Sequence, residues 1–127
     1  MAKKFQNYIN GKWCDAKSGQ EFENRNPANN NEVLGTFPKS SKEDVNEAVA
    51  AAKKAFESWR LVPAPKRGDI LKKVGDIMTE RKEELARAMT KEMGKVLLET
   101  RGDVQEGIDT AYYAASEGRR LFGHTVP

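Results

Sequence analysis

The chain has 127 residues, 38% of them hydrophobic and 32% charged, which describes a single domain with a modest core and a well-solvated outside. Twenty-two basic residues against nineteen acidic ones give a net charge of +3, with the signs interspersed, so the basic stripe interleaved with aromatics that nucleic acid requires is absent. A lone cysteine, Cys14, excludes an internal disulfide and a cysteine-based zinc site, and no apolar run approaches the ~18 residues of a membrane span.

The start, Met1-Ala2-Lys3-Lys4-Phe5, lacks the apolar h-region of a secretory signal, and the expected setting is cytoplasmic. Residues 1–38 read as β-hairpins. Phe5 to Ile9, then Asn10-Gly11, then Lys12 to Cys14 form a hairpin with a type I′ turn, which sets Tyr8 opposite Trp13. An aromatic pair across a ladder contributes roughly 0.2–1 kcal/mol. Ser18-Gly19 turns the chain again. Gln20 to Arg25 and Glu32 to Phe37 form a second strand pair, joined by an Asn/Pro-rich loop from Asn26 to Asn31.

Three long helical patterns follow. The first covers 41–61, opening on a capping-box-like Ser41-Lys42-Glu43-Asp44, with Ser40 and Glu43 an almost equal fit. Val45, Val49, Ala52, Phe56 and Trp59 keep one face of it, and it ends before Pro63 and Pro65. The second covers 66–93 on a face of Ile70, Val74, Ile77, Met78, Leu85, Ala88 and Met89, and Glu83 and Arg87 make an i,i+4 pair. The third covers 95–122, with Leu97, Val104, Ile108, Ala111, Tyr112, Ala115 and Phe122 on one side, and Gly107 beside that line where another backbone can approach. A straight helix of ~28 residues is ~42 Å long, whereas a compact chain of this length is ~36 Å across. Either the second helix breaks at the polar run 79–82, or the chain forms a slab that something else covers. The fold class is α+β: hairpins, then three long helices with the second broken.

Glu92 falls in the last turn of the second pattern, where the helix dipole makes an acid unfavourable by roughly 0.3–1 kcal/mol. It therefore calls for a partner, and Gly94 beside it is the point of reversal. No glycine-rich phosphate loop or dinucleotide fingerprint is present. Cys14 and the single histidine, His124, stand 110 positions apart and make no nucleophile–base pair that the sequence can justify.

Tyr8-Ile9-Asn10-Gly11-Lys12-Trp13, Asn26-Pro27-Ala28, the run from Ser41 to Trp59, Glu92-Met93-Gly94-Lys95 and Tyr112-Tyr113-Ala114 stand together in one order. In that order and spacing the chain resembles the N-terminal portion of the NAD(P)-dependent aldehyde dehydrogenase superfamily, from about Phe5 to Pro127. The resemblance implies that residues 1–127 are one N-terminal segment of a larger α/β Rossmann-type fold. It also implies an enzyme that oxidises an aldehyde to a carboxylic acid with NAD or NADP. The family's catalytic cysteine, general-base glutamate and cofactor loop lie beyond this stretch, so no catalytic and no cofactor-binding residue is assigned, and the chain alone is expected to be inactive. Its implied partner is the remainder of the aldehyde dehydrogenase fold, with self-association where covered faces lie open, and without nucleic acid or membrane. The resemblance further implies a monovalent cation, Na+, held by the carbonyls of Asn24 and Arg25 and the acid of Glu92. The simpler alternative pairs Glu92 with Arg25, Lys91 or Lys95. By the same analogy, the helix around Asp103, Gly107 and Ala111 borders the substrate entrance. A stand-alone helical protein-interaction module without activity is the alternative reading.

Overall fold

Asn10 and Gly11 both hold positive φ, 51° and 76°, the pair of angles that a type I′ turn demands. They join β2 (Asn7–Ile9) to β3 (Lys12–Cys14) and set Tyr8 opposite Trp13, ring centroids 4.8 Å apart. The structure is a computed structural model that describes residues 3–120. Its chain divides into two compact units, 1–60 with 91–94, and 61–90 with 95–127.

In the first unit, the segment expected to be one strand from Phe5 is split between two sheets. β1 (Lys3–Lys4) runs parallel to β5 (Asn29–Pro38), and β5 pairs antiparallel with β4 (Glu21–Asn26). Phe5 remains with that sheet: its N–H donates to the Thr36 carbonyl at 2.9 Å and its ring stacks on Phe37 at 4.5 Å. The expected six-residue loop is also tighter than the sequence suggested. Asn26 pairs with Asn29 across Pro27-Ala28, because the Asn26 side-chain oxygen accepts from the Ala28 N–H at 2.9 Å and closes the turn locally.

Helix α1 (Lys42–Trp59) starts at Ser41, which accepts from the Glu43 N–H, while Asp44 returns a bond to the Ser41 N–H at 2.7 Å. Asp44 is 5% exposed and also accepts from the Lys17 N–H at 2.9 Å, tying the helix start to the segment after the hairpin. The face of Val45, Val49, Phe56 and Trp59 is exposed, at 57%, 47%, 58% and 42%.

The second unit contains the break. Helix α2 (Ala64–Glu80) and α3 (Lys82–Met93, its last three residues in the first unit) are separated by Arg81 alone, at φ −103° and ψ 15°. Helix α2 begins two residues before the expected Lys66: Pro65 lies in its first turn, where a missing N–H costs nothing. Helix α4 (Leu97–Glu117) is shorter than the expected 95–122. It ends at Gly118, and Phe122 lies outside the described residues.

α2 and α4 run antiparallel with their backbones touching. A β-carbon at Gly68 would fall 2.4 Å from the Ala115 carbonyl oxygen, and one at Gly118 would fall 2.5 Å from that of Ala64. Gly75 receives the Tyr112 ring. Gly107, expected to admit a backbone, faces the Met78 methyl instead. Ala86, Val104 and Ile108 form the core, with Met78, Leu85, Met89 and Leu97 packed on it. The fully buried Thr100 shares a 2.8 Å hydroxyl bond with Thr90, and Arg101 reaches Glu83.

Candidate functional site

The end of α3 lies against the β4–β5 turn, and glycine permits it. Gly94 has φ 68°, and a β-carbon there would come within 3.0 Å of Pro27 and 3.4 Å of the Ala28 nitrogen. Side chains tie the same two pieces together. Lys91 donates to Glu32 at 2.5 Å, and the other oxygen of Glu32 accepts from Asn26 at 2.9 Å. Lys91 first, and Asn26 after it, hold the Glu32 carboxyl below the usual range. The Asn26-Pro27-Ala28 and Glu92-Met93-Gly94 segments are thus brought together.

The sequence-predicted ligands stand around this junction. Asn24 is half-buried in β4 opposite Gly35, and Arg25 is exposed opposite Val33. The ladder is irregular on both sides of Arg25, between Asn24 and Arg25 and again between Arg25 and Asn26. Arg25 turns its guanidinium to the Asn30 carbonyl at 2.9 Å and to the Glu23 carboxylate. Glu92 is exposed in the last turn of α3, and among the described residues its carboxylate has no hydrogen bond or ion pair. The basic residues that the simple pairing needs are engaged elsewhere: Arg25 with Glu23, Lys91 with Glu32, and Lys95 with Asp103 at 2.7 Å. No hydrogen bond joins Glu92 to Asn24 or Arg25. The Lys91–Glu32 link was missed because the two residues are 59 positions apart and neither belongs to a motif.

No group of three or more His, Cys, Asp or Glu side chains that could hold a metal occurs among the described residues. Cys14 is a half-buried free thiol on β3, and His124 lies outside the described residues. On α4, Asp103 holds Lys95 and Gly107 faces Met78. The side of α4 between Gly102 and Tyr113 carries an open depression of about 510 Å³, lined also by Glu106 and Asp109.

The sequence profile described as the aldehyde dehydrogenase family matches residues 13–127. The chain belongs to the aldehyde dehydrogenase family. It is 42% identical over 123 residues to the α-ketoglutaric semialdehyde dehydrogenase of Bacillus subtilis, covering 97% of this chain and 25% of that one. It is 43% identical over 122 residues to malonate-semialdehyde dehydrogenase 2 of Geobacillus kaustophilus, covering 96% and 25%. Among solved structures, an NAD-dependent aldehyde dehydrogenase from Sinorhizobium meliloti superposes with a TM-score of 0.90 at 36% identity, over 98% of this chain and 25% of that one. An NADP-dependent enzyme of E. coli gives 0.89 and 37%, over 98% and 26%. The chain spans about a quarter of the length of these relatives and corresponds to the N-terminal portion of aldehyde dehydrogenase chains. Among the described residues, no helix is long and apolar enough to cross a membrane.

Proposed function

We propose that this chain works as the N-terminal part of an NAD(P)+-dependent aldehyde dehydrogenase that oxidises an aldehyde to a carboxylic acid. The observation that carries the reading is the superposition of 98% of the chain on an NAD-dependent aldehyde dehydrogenase at a TM-score of 0.90. On this reading the chain contributes scaffold to the larger fold, and the acyl chemistry belongs to residues that it does not contain. The names of the similar proteins, α-ketoglutaric and malonate semialdehyde dehydrogenases, make a carboxylate-bearing aldehyde the first substrate class to assay. A cytoplasmic setting goes with it.

Two measurements test the reading. Calorimetry of the 127-residue chain with NAD+ and with NADP+ should show no binding; micromolar affinity for either would overturn the inactivity of the isolated chain. Replacing the matching quarter of the Bacillus subtilis enzyme with this chain should retain aldehyde oxidation, followed by reduced-nicotinamide absorbance. A folded chimera without activity counts against the assignment.

The same reading includes a monovalent cation held by the Asn24 and Arg25 carbonyls and the Glu92 carboxylate. Oxygen donors suit a hard cation. Three observations support it: the carboxylate of Glu92 without a protein partner, the irregular ladder at Arg25, and the contact of Gly94 with the turn that follows those carbonyls. The pairing of Arg25 with Glu23 removes the objection that its guanidinium supplies the positive charge at Glu92.

A further inference from the structure

β2 and β3 form a sheet of two strands, three residues each. A ribbon of that size is marginal by itself, so its tip opens locally at little cost. The turn at that tip is Asn10-Gly11, and both residues are exposed. Among the described residues, neither the Asn10 side-chain amide nor the Gly11 N–H has a hydrogen bond. The Gly11 nitrogen is also uncrowded: a β-carbon on that residue, beyond its chain neighbours, would meet only the Tyr8 hydroxyl, at 4.0 Å. The turn borders an open depression of about 320 Å³ over Ala48, Ala51, Ala52 and Ala55 of α1, which gives water access to it.

A free asparagine amide, a following N–H with no side chain beside it and access to water are what intramolecular imide formation needs. We infer that Asn10 is a site of spontaneous deamidation, gated by opening of the hairpin and ending in loss of its register. The closed turn fixes the backbone around the reacting atoms, whereas cyclisation rotates them, so the reaction runs from the opened state. There the Gly11 nitrogen bonds to the Asn10 side-chain carbonyl carbon. The bond from that carbon to the side-chain nitrogen breaks, and ammonia leaves with the hydrogen from Gly11. Water then opens the cyclic imide in one of two ways. Cleavage at the side-chain carbonyl gives an aspartyl residue, which tolerates the left-handed region as asparagine does and keeps the turn. Cleavage at the main-chain carbonyl gives an isoaspartyl residue, which adds a carbon to the backbone of a loop whose length sets Tyr8 opposite Trp13.

The other asparagines each lack part of this arrangement. Asn26 precedes Pro27, whose nitrogen carries no hydrogen. Asn46 lies within α1, where the next N–H is in the helical ladder. Asn7 donates its amide to Ser40 at 2.8 Å. Asn24, Asn29, Asn30 and Asn31 lie in β4 and β5 and are followed by residues with side chains.

The test is peptide mass spectrometry of the 127-residue chain held in mildly alkaline buffer, reading amide-to-acid exchange at each asparagine. Exchange at Asn10 should run at least tenfold faster than at any other asparagine; a rate no higher than the rest overturns the site. Tyr8→Ala weakens the aromatic pair that closes the hairpin and should speed the exchange about two- to fivefold. An unchanged rate overturns hairpin opening as the gate. Nuclear Overhauser contacts between Tyr8 and Trp13 read the consequence. They should persist in Asn10→Asp and vanish in the isoaspartyl form purified from the incubated chain. An isoaspartyl form that keeps them overturns the loss of register, and their loss in Asn10→Asp as well would assign the effect to charge and overturn it too.

Discussion

Glu83 accepts from Arg101 at 2.9 and 2.8 Å and lies 2.7 Å from Arg87, and these cations, Arg101 foremost, hold its carboxyl at about 2. A depressed folded pKa stabilises the fold above the unfolded value, near 4.5, and that contribution is lost as pH falls towards 2. Thermal melts of Glu83→Gln should therefore show a shallower decline than wild type across that window; parallel declines would remove Glu83 from the acid response. Glu92 calls for the opposite test. In sodium-free buffer Glu92→Gln should melt at or slightly above wild type, since an acid in the last turn opposes the dipole by roughly 0.3–1 kcal/mol. Adding sodium should then raise the melting temperature of wild type only. A sodium effect that survives in Glu92→Gln would sink the cation proposal. The sequence showed half of this. Glu83 with Arg87 is legible as an i,i+4 pair, and Glu92 as an acid at a helix end. Arg101 and Lys91 were invisible as partners because their acids are 18 and 59 positions away, set by tertiary packing.

Among the elements, periodicity identified which faces are apolar and failed to say which of them would be buried. It gave the break between α2 and α3, which falls at Arg81 inside the polar run, because six polar residues interrupt the face there. It gave Tyr8 against Trp13, because a two-residue turn fixes the register. It assigned close backbone approach to Gly107 when Gly68 and Gly118 make it, since glycine spacing alone does not reveal what lies opposite. The two kinds of helical glycine predict opposite outcomes. Gly68→Ala places a methyl 2.4 Å from the Ala115 carbonyl oxygen and should destabilise the chain by about 1–3 kcal/mol. Gly102→Ala meets nothing within 4 Å and should stabilise it by about 1 kcal/mol through helix propensity. Urea denaturation reads both; a Gly68→Ala variant as stable as wild type would contradict the tight crossing.

For the molecule as a whole, the apolar side chains left open decide its behaviour. Phe56, Trp59, Ile70 and Val74 are exposed at 58%, 42%, 53% and 41%, each on a helix face that the sequence reads as apolar. We predict concentration-dependent association of the isolated chain in sedimentation velocity; a monomer at all concentrations would show that these faces do not associate by themselves. The family was legible because its signature segments lie in this stretch, whereas periodicity marks these faces as apolar without telling that they stay open. The glycine crossing between α2 and α4 carries a consequence for how this part of the family can vary. Gly68 and Gly75 sit two turns apart against fixed points on α4, so one inserted residue between them would rotate Gly75 away by about 100° and bring a side chain into the seam. Insertions and deletions among relatives should therefore avoid residues 68–75 and collect at turns away from that seam, such as the Ser18-Gly19 bend.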